Sequence, residues 1–151
     1  MIIRQWKKED FKDMIELGEK MANEGTYKNI SYSKTKLEKM ANTLIDKPEK
    51  AMGFVAVEND QIIGMMIVYL RSYFFSDDLF CHDLLLYVDP YKRKSIKAPI
   101  RLINMATDWA KEKGAKEFRP ASSVGVEKEK VAKLYKFMKF ENIGYVFRKE
   151  L

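Results

Sequence analysis

A mixed α/β domain with helices on both faces of one sheet is the fold class that the order of elements predicts. Three observations carry it. Apolar residues recur at helical spacing in four stretches and as short strand-type runs in six others. These stretches follow one another as β-α-α-β-β-β-α-β-α-β. Only 7 Gly and 4 Pro punctuate the 151 residues, with no repeat and no low-complexity tract, so a single domain over 1–151 is expected.

Each element has its own justification. IIRQW (2–6) is a short strand. From Glu9 to Asn23, Phe11, Met14, Ile15, Leu17, Gly18 and Met21 fall at helical spacing. The polar stretch EGTYKNISYS follows, and its last residue, Ser33, is a good N-cap for a second helix to about Asp46. Phe54–Val57 and Ile62–Tyr69 are strands joined by the polar turn Glu58-Asn59-Asp60-Gln61. Leu79–Val88 is a third apolar strand. Ser95–Lys113 is a helix that ends at Gly114, a residue suited to the left-handed C′ position. A strand over 116–121, a helix over 127–138 and a last strand over 144–149 complete the chain. In the 127–138 helix, spacing puts Leu134, Phe137 and Met138 on the buried side.

Composition narrows the function. Hydrophobic residues at 46% and aromatics at 13% suffice for a packed core and argue against disorder. One cysteine, Cys81, excludes an internal disulfide framework, and one histidine, His82, leaves no zinc-ligand spacing, so no metal is expected. MIIRQWKKEDF lacks a signal peptide's apolar centre, and no run approaches the ~18 apolar residues of a membrane span. A cytoplasmic domain away from the membrane is expected. The net charge of +6 suits an anionic ligand, although lysines are scattered from end to end. Nucleic acid is disfavoured as a partner, because the cations fall on several elements rather than one stripe and no known motif accompanies them.

Five strings carry a family likeness: KMANEGTY, FVAVENDQIIGMMI, CHDLLLYVDPYKR, RLINMATDWAKEKGAKEF and KVAKLYKFMKFENIGYVFRKEL. In this order they resemble the GNAT superfamily of acyl-CoA-dependent N-acetyltransferases, and within it the small acetyltransferases often encoded by bacteriophages. The resemblance covers nearly the whole length. It implies a mostly antiparallel mixed sheet of about six strands with four helices, acetyl-CoA as acyl donor, and a primary amine of a small molecule or protein as acceptor. It also implies residence in the cytoplasm, the host's for a phage protein, and leaves room for a homodimer. A GNAT-fold module without chemistry, binding CoA or a host protein, is the alternative.

The resemblance places the cofactor's pyrophosphate at the turn after the third apolar strand, where a helix N-terminus offers unpartnered N–H groups. The family's R/Q-x-x-G-x-G/A pattern falls on Arg93, with Ile96 and Ala98 at the glycine positions. Lys94, Ser95 and Lys97 complete the turn, and a register slipped by one residue is also open. The N–H of Tyr87 or Val88 is the implied donor to the thioester carbonyl. Tyr135, in AKLYKF, matches the family's proton donor to the leaving thiolate. The base is Asp83 or His82 on the preceding strand. Simple alternation sends His82, Leu84, Leu86 and Val88 to one face and Asp83, Leu85 and Tyr87 to the other, so only one of the two faces the cleft unless a bulge intervenes, and the resemblance implies that a bulge is common in this strand. Glu24, Tyr27 and Tyr32 are the expected contacts of a cationic acceptor, through charge and cation–π attraction. The connection Arg71–Asp78 is a second candidate rim, its aromatics equally suited to a dimer contact.

Overall fold

The computed structural model describes residues 1–93 and 95–151. Its elements are β1 (Ile2–Gln5), α1 (Phe11–Glu24), α2 (Lys34–Ile45), β2 (Ala51–Glu58), β3 (Gln61–Ser72), β4 (Leu79–Val88), α3 (Lys97–Glu112), β5 (Glu117–Arg119) and α4 (Lys128–Phe137). The strands form one five-stranded sheet in the order β1-β2-β3-β4-β5. All neighbours are antiparallel except β4 and β5. That pair is parallel because α3 supplies the crossover that such a connection requires.

Local chemistry sets the element ends. The Asp10 carboxylate accepts from both terminal nitrogens of Arg4 at 2.6 and 2.8 Å and from the Lys7 N–H at 2.7 Å, fixing the entry from β1 into α1. Ser33 Oγ accepts the Lys36 N–H at 3.3 Å, the cap expected of it. Asn59 and Asp60, at φ of 50° and 59°, form the two-residue turn between β2 and β3. Gly114, at φ of 76°, closes α3.

Residues Ala51–Ala56 of β2 and Ile63–Val68 of β3 are buried without a break. A strand buried on every residue is covered on both faces. Helix α1 covers the face that carries Met65, which lies over Gly18. Helix α3 packs along β1 to β4 with Leu102, Ile103 and Ala106 fully buried. Trp6 lies flat on Gly53, where an added Cβ would come within 2.4 Å of the indole.

Three expectations are corrected. The sixth strand over 144–149 does not form. The chain beyond α4 has no regular structure, and Tyr145 and Phe147 are 80% and 89% exposed. Alternating residues describe what a strand would bury, but pairing needs an edge within reach. This segment is held instead by an Arg148 guanidinium donating to the Thr26 carbonyl at 2.9 Å. In α4, Phe137 is 70% exposed, and Tyr135 is the buried residue. The two are about 200° apart around the helix, so only one can face the sheet.

The third correction concerns β4. Ile67 of β3 lies opposite Leu85 and Val68 opposite Asp83, so Leu84 is an extra, bulged residue. The bulge inverts the later alternation. Asp83 shares a face with Leu86 and Val88, and His82 shares the other with Leu85 and Tyr87.

Candidate active site

Strands β4 and β5 pair over only three positions, Phe80↔Glu117, Cys81↔Phe118 and His82↔Arg119. Beyond them, among the described residues, no strand flanks β4 on that side. The Asp89 N–H donates to the Ile63 carbonyl at 2.8 Å, toward β3. Backbone polar groups alternate along a strand, so those of Val88 point the opposite way, into the opening. The Val88 carbonyl there accepts Arg93 Nε at 2.7 Å. A β-strand edge open inside a fold is a ready partner for an extended, amide-bearing ligand.

Asp83, His82 and Tyr135 gather where the strands part. The Asp83 side chain is 5% exposed and accepts the Ala121 N–H at 2.8 Å. Burial pushes its carboxyl up to about 6, against the opposing pull of the Ala121 N–H and His82. His82 Nδ1 lies 3.7 Å from Asp83 Oδ1, beyond hydrogen-bond length. Tyr135 packs edge-on against Phe140 with ring centroids 5.4 Å apart. Burial, then the charge of Asp83, raises its phenol well above the ordinary tyrosine value. His82 Nδ1 and the Tyr135 hydroxyl are both buried without a hydrogen-bond partner among the described residues. Such orphans are rare in folded proteins and mark this spot as the polar centre of the cleft.

The turn after β4 is arranged around Arg93. Its guanidinium grips the Glu24 carboxylate, with one bond at 2.8 Å, and lies 3.8 Å from Glu127 and 4.8 Å above the Tyr87 ring. The Tyr87 hydroxyl donates to the same carboxylate at 2.7 Å. Arg93 holds the Glu24 carboxyl below its usual range, with help from Tyr87 and against desolvation. Ser95 Oγ accepts the Lys97 N–H at 3.2 Å. Ile96 has an ordinary φ of −79° and is 58% exposed, so its backbone needs no glycine. Pro99 sits in the first turn of α3 without an N–H, so fewer amides are on offer than a glycine-rich turn presents. Lys92, Lys97 and Arg101 line a depression of about 350 Å³ with Ser95, Ala98 and Glu58, the last 3.8 Å from Lys92, and Arg101 donates to the Met1 carbonyl at 2.9 Å. Lys94, expected in the same turn, lies outside the described residues.

Two of the three expected acceptor contacts have other partners. Glu24 is the last residue of α1 rather than a loop residue, and it is engaged by Arg93 and Tyr87. The Tyr32 hydroxyl donates to the Ile15 carbonyl at 2.7 Å, and burial raises it to about 12. Tyr27 remains at the surface, 37% exposed. At the other end of the cleft a depression of about 910 Å³ is lined by Tyr73, Phe74, Phe75, Phe80, Arg71 and Arg119. Sequence reading reached the 71–78 part of this rim but missed Arg119, Ala121 and Glu127. The period-two placement of Tyr69 and Arg71 on one strand and Phe80 and His82 on the next was the available clue.

No family model matches the chain, and no curated protein does. Solved structures do. The protein AAC(6')-Iy, in complex with the bisubstrate analogue CoA-S-monomethyl-acetylneamine, superposes with a TM-score of 0.79 at 18% identity, over 99% of this chain and 98% of that one. The aminoglycoside antibiotic 6'-N-acetyltransferase from Acinetobacter haemolyticus gives 0.72 at 24% identity, over 100% and 99%. A transcriptional regulator from Bacillus halodurans C-125 gives 0.78 at 17% identity, over 99% of both chains. At these identities the likeness establishes the fold: the chain has, end to end, the architecture of acetyltransferases.

Proposed function

We propose that the protein is an acyl-CoA-dependent N-acetyltransferase that moves an acetyl group from acetyl-CoA to a primary amine. The observation that carries this reading is the parting of β4 and β5 beside a bulge, with Asp83, His82 and Tyr135 gathered at the same point. An extended pantetheine arm pairs naturally with the open edge of β4, and its pyrophosphate reaches the cationic turn at the start of α3. The amide-bearing arm competes with Arg93 for the Val88 carbonyl.

The chemistry follows from the placement of the groups. The Val88 N–H points into the opening and donates to the thioester oxygen as negative charge builds on it. The His82–Asp83 pair removes the proton from the attacking amine. His82, 34% exposed against 5% for Asp83, is the member that meets the amine. The nitrogen bonds to the carbonyl carbon, the C–S bond breaks, and Tyr135 passes its hydroxyl proton to the thiolate. Burial opposes this transfer, because a phenol raised above its ordinary value is a weaker acid than the thiol that forms, so the transfer requires the occupied cleft to offset that burial.

The test combines calorimetry and turnover. Acetyl-CoA should bind the wild-type chain in the micromolar range, and CoA release should depend on an added amine. Tyr135→Phe keeps the ring and removes one buried oxygen that has no partner. Stability and acetyl-CoA affinity should therefore be nearly unchanged, while turnover falls by about 10²-fold. Unchanged turnover would remove Tyr135 from the mechanism. No acetyl-CoA binding at high micromolar concentration would leave the non-catalytic module as the better reading.

A further inference from the structure

We infer that the chain forms a symmetric dimer in which residues 143–149 of each copy pair, as an added strand, with the free edge of β5 in the other. Strand β5 ends the sheet order and has β4 as its partner, so among the described residues its outer edge is unpaired. An open edge is a ready template for another strand. On one face this edge continues into a group of rings. Phe118 of β5 meets Phe140 edge-on at 5.8 Å, and Phe140 meets Tyr135 at 5.4 Å. A strand laid along β5 therefore finds backbone partners and an apolar surface together.

The same chain carries a segment with the matching needs. Among the described residues, no backbone hydrogen bond ties 141–151 to the rest of the chain. The consecutive residues Tyr145, Val146 and Phe147 are 80%, 78% and 89% exposed, so this stretch rests on the body with neither of its faces. A Cβ added at Gly144 would meet nothing within 4 Å. Ile143, Tyr145, Val146 and Phe147 are residues that strands favour, and left in water they forfeit the stabilisation that burial gives. The segment is an arm. After Phe140 it leaves its own β5, and its far end is tied to the body by the Arg148 bond to the Thr26 carbonyl.

A second copy suits both features at once. Each chain has one open edge and one arm, so a two-fold exchange fills both and closes the assembly. A foreign strand on β5 would leave the arm in water, and a foreign partner on the arm would leave β5 open. Main-chain pairing gives such an exchange its affinity, and the apolar side chains that alternate along the arm give it register.

The test measures mass and amide exchange on the full chain. Sedimentation velocity from about 1 to about 100 μM should show a concentration-dependent approach to twice 17.8 kDa. At the concentrated end, hydrogen exchange should protect 143–149 together with an amide of 117–119 that is open in the dilute chain. Dilution should release both. Adjacent N–H groups of a strand point to opposite sides, so either Tyr145→Pro or Val146→Pro removes a ladder bond in any register. The more damaging of the two should raise the dimer dissociation constant at least about tenfold. Both positions lie outside every helix and strand, so the dilute variants should melt as wild type does. A chain that stays monomeric throughout would overturn the inference. So would protection of 143–149 without 117–119, which means arms paired with each other, or protection of both in a monomer, which means the arm on its own β5. A dimer that both proline variants leave intact would also overturn it and point to the exposed Phe74 and Phe75 instead.

Discussion

Asp83 is a buried carboxyl whose ionisation the fold opposes, and this has a measurable sign. Its ordinary value is 3.8, and burial raises it to about 6. As pH rises from 4, the unfolded chain loses this proton first, so the folded state holds the greater share between about 4 and 6. The contribution of Asp83 to stability therefore falls through that window and stays low above it. Asp83→Asn keeps an oxygen to accept the Ala121 N–H and carries no charge at any pH. Relative to wild type, the variant should gain stability from pH 4 upward, reaching roughly 1–3 kcal/mol at pH 7. Urea denaturation of both proteins at pH 4, 5, 6 and 7 measures this. A difference that does not vary with pH would mean that the carboxylate is solvated.

At the scale of elements, the sheet depends on one close approach at its N-terminal side. Strand β2 accepts the Trp6 indole directly on its backbone at Gly53, and Trp6 meets Phe11 of α1 edge-on at 5.3 Å. The indole thus joins β1, β2 and α1. Gly53→Ala drives a methyl group into a ring that cannot retreat without moving Phe11, and should cost about 1–3 kcal/mol. Gly144→Ala, in open space beyond α4, should stay within roughly 0.5 kcal/mol. Equal denaturation midpoints for the two variants would show that Trp6 repacks freely.

Across the whole molecule, the two ends of the β4–β5 cleft are chemically different. Aromatic rings and arginines line the end near β5, and an ion cluster of Glu24, Arg93 and Glu127 joins α1, the turn after β4 and the N-terminus of α4 at the other. In the proposed function, an anionic cofactor draws Arg93 away from Glu24. Arg93→Ala should weaken acetyl-CoA binding by about 1.5–3 kcal/mol, the worth of a hydrogen bond to a charged group. Glu24→Gln removes the competing charge and should tighten binding, while Lys39→Ala on α2 should do nothing. Calorimetry at two salt concentrations separates these outcomes. Weaker binding in Glu24→Gln would show that Glu24 positions Arg93 rather than competing for it.

What the sequence determined by itself was whatever local chemistry decides. The helical spacing, the Ser33 cap, the Asn59-Asp60 turn and the stop at Gly114 each depend on residues within a few positions, and all are found in the structure. Asp83, His82 and Tyr135 were candidates only through the resemblance of their strings to a family, and the structure brings the three to one place. Only the tertiary structure decided the rest. The bulge at Leu84 arises from how β4 meets β3, and a one-residue offset moves Asp83 and His82 to the faces opposite those that simple alternation assigns. The segment 144–149 has a strand's pattern, yet pairing requires an edge that the pattern cannot supply. Arg93 and Glu24 lie 69 positions apart, and their ion pair follows from the packing of α1 against the sheet. Local propensity acts over a few residues of chain, whereas register, pairing and charge partners are set by distances in space that the folded chain alone establishes.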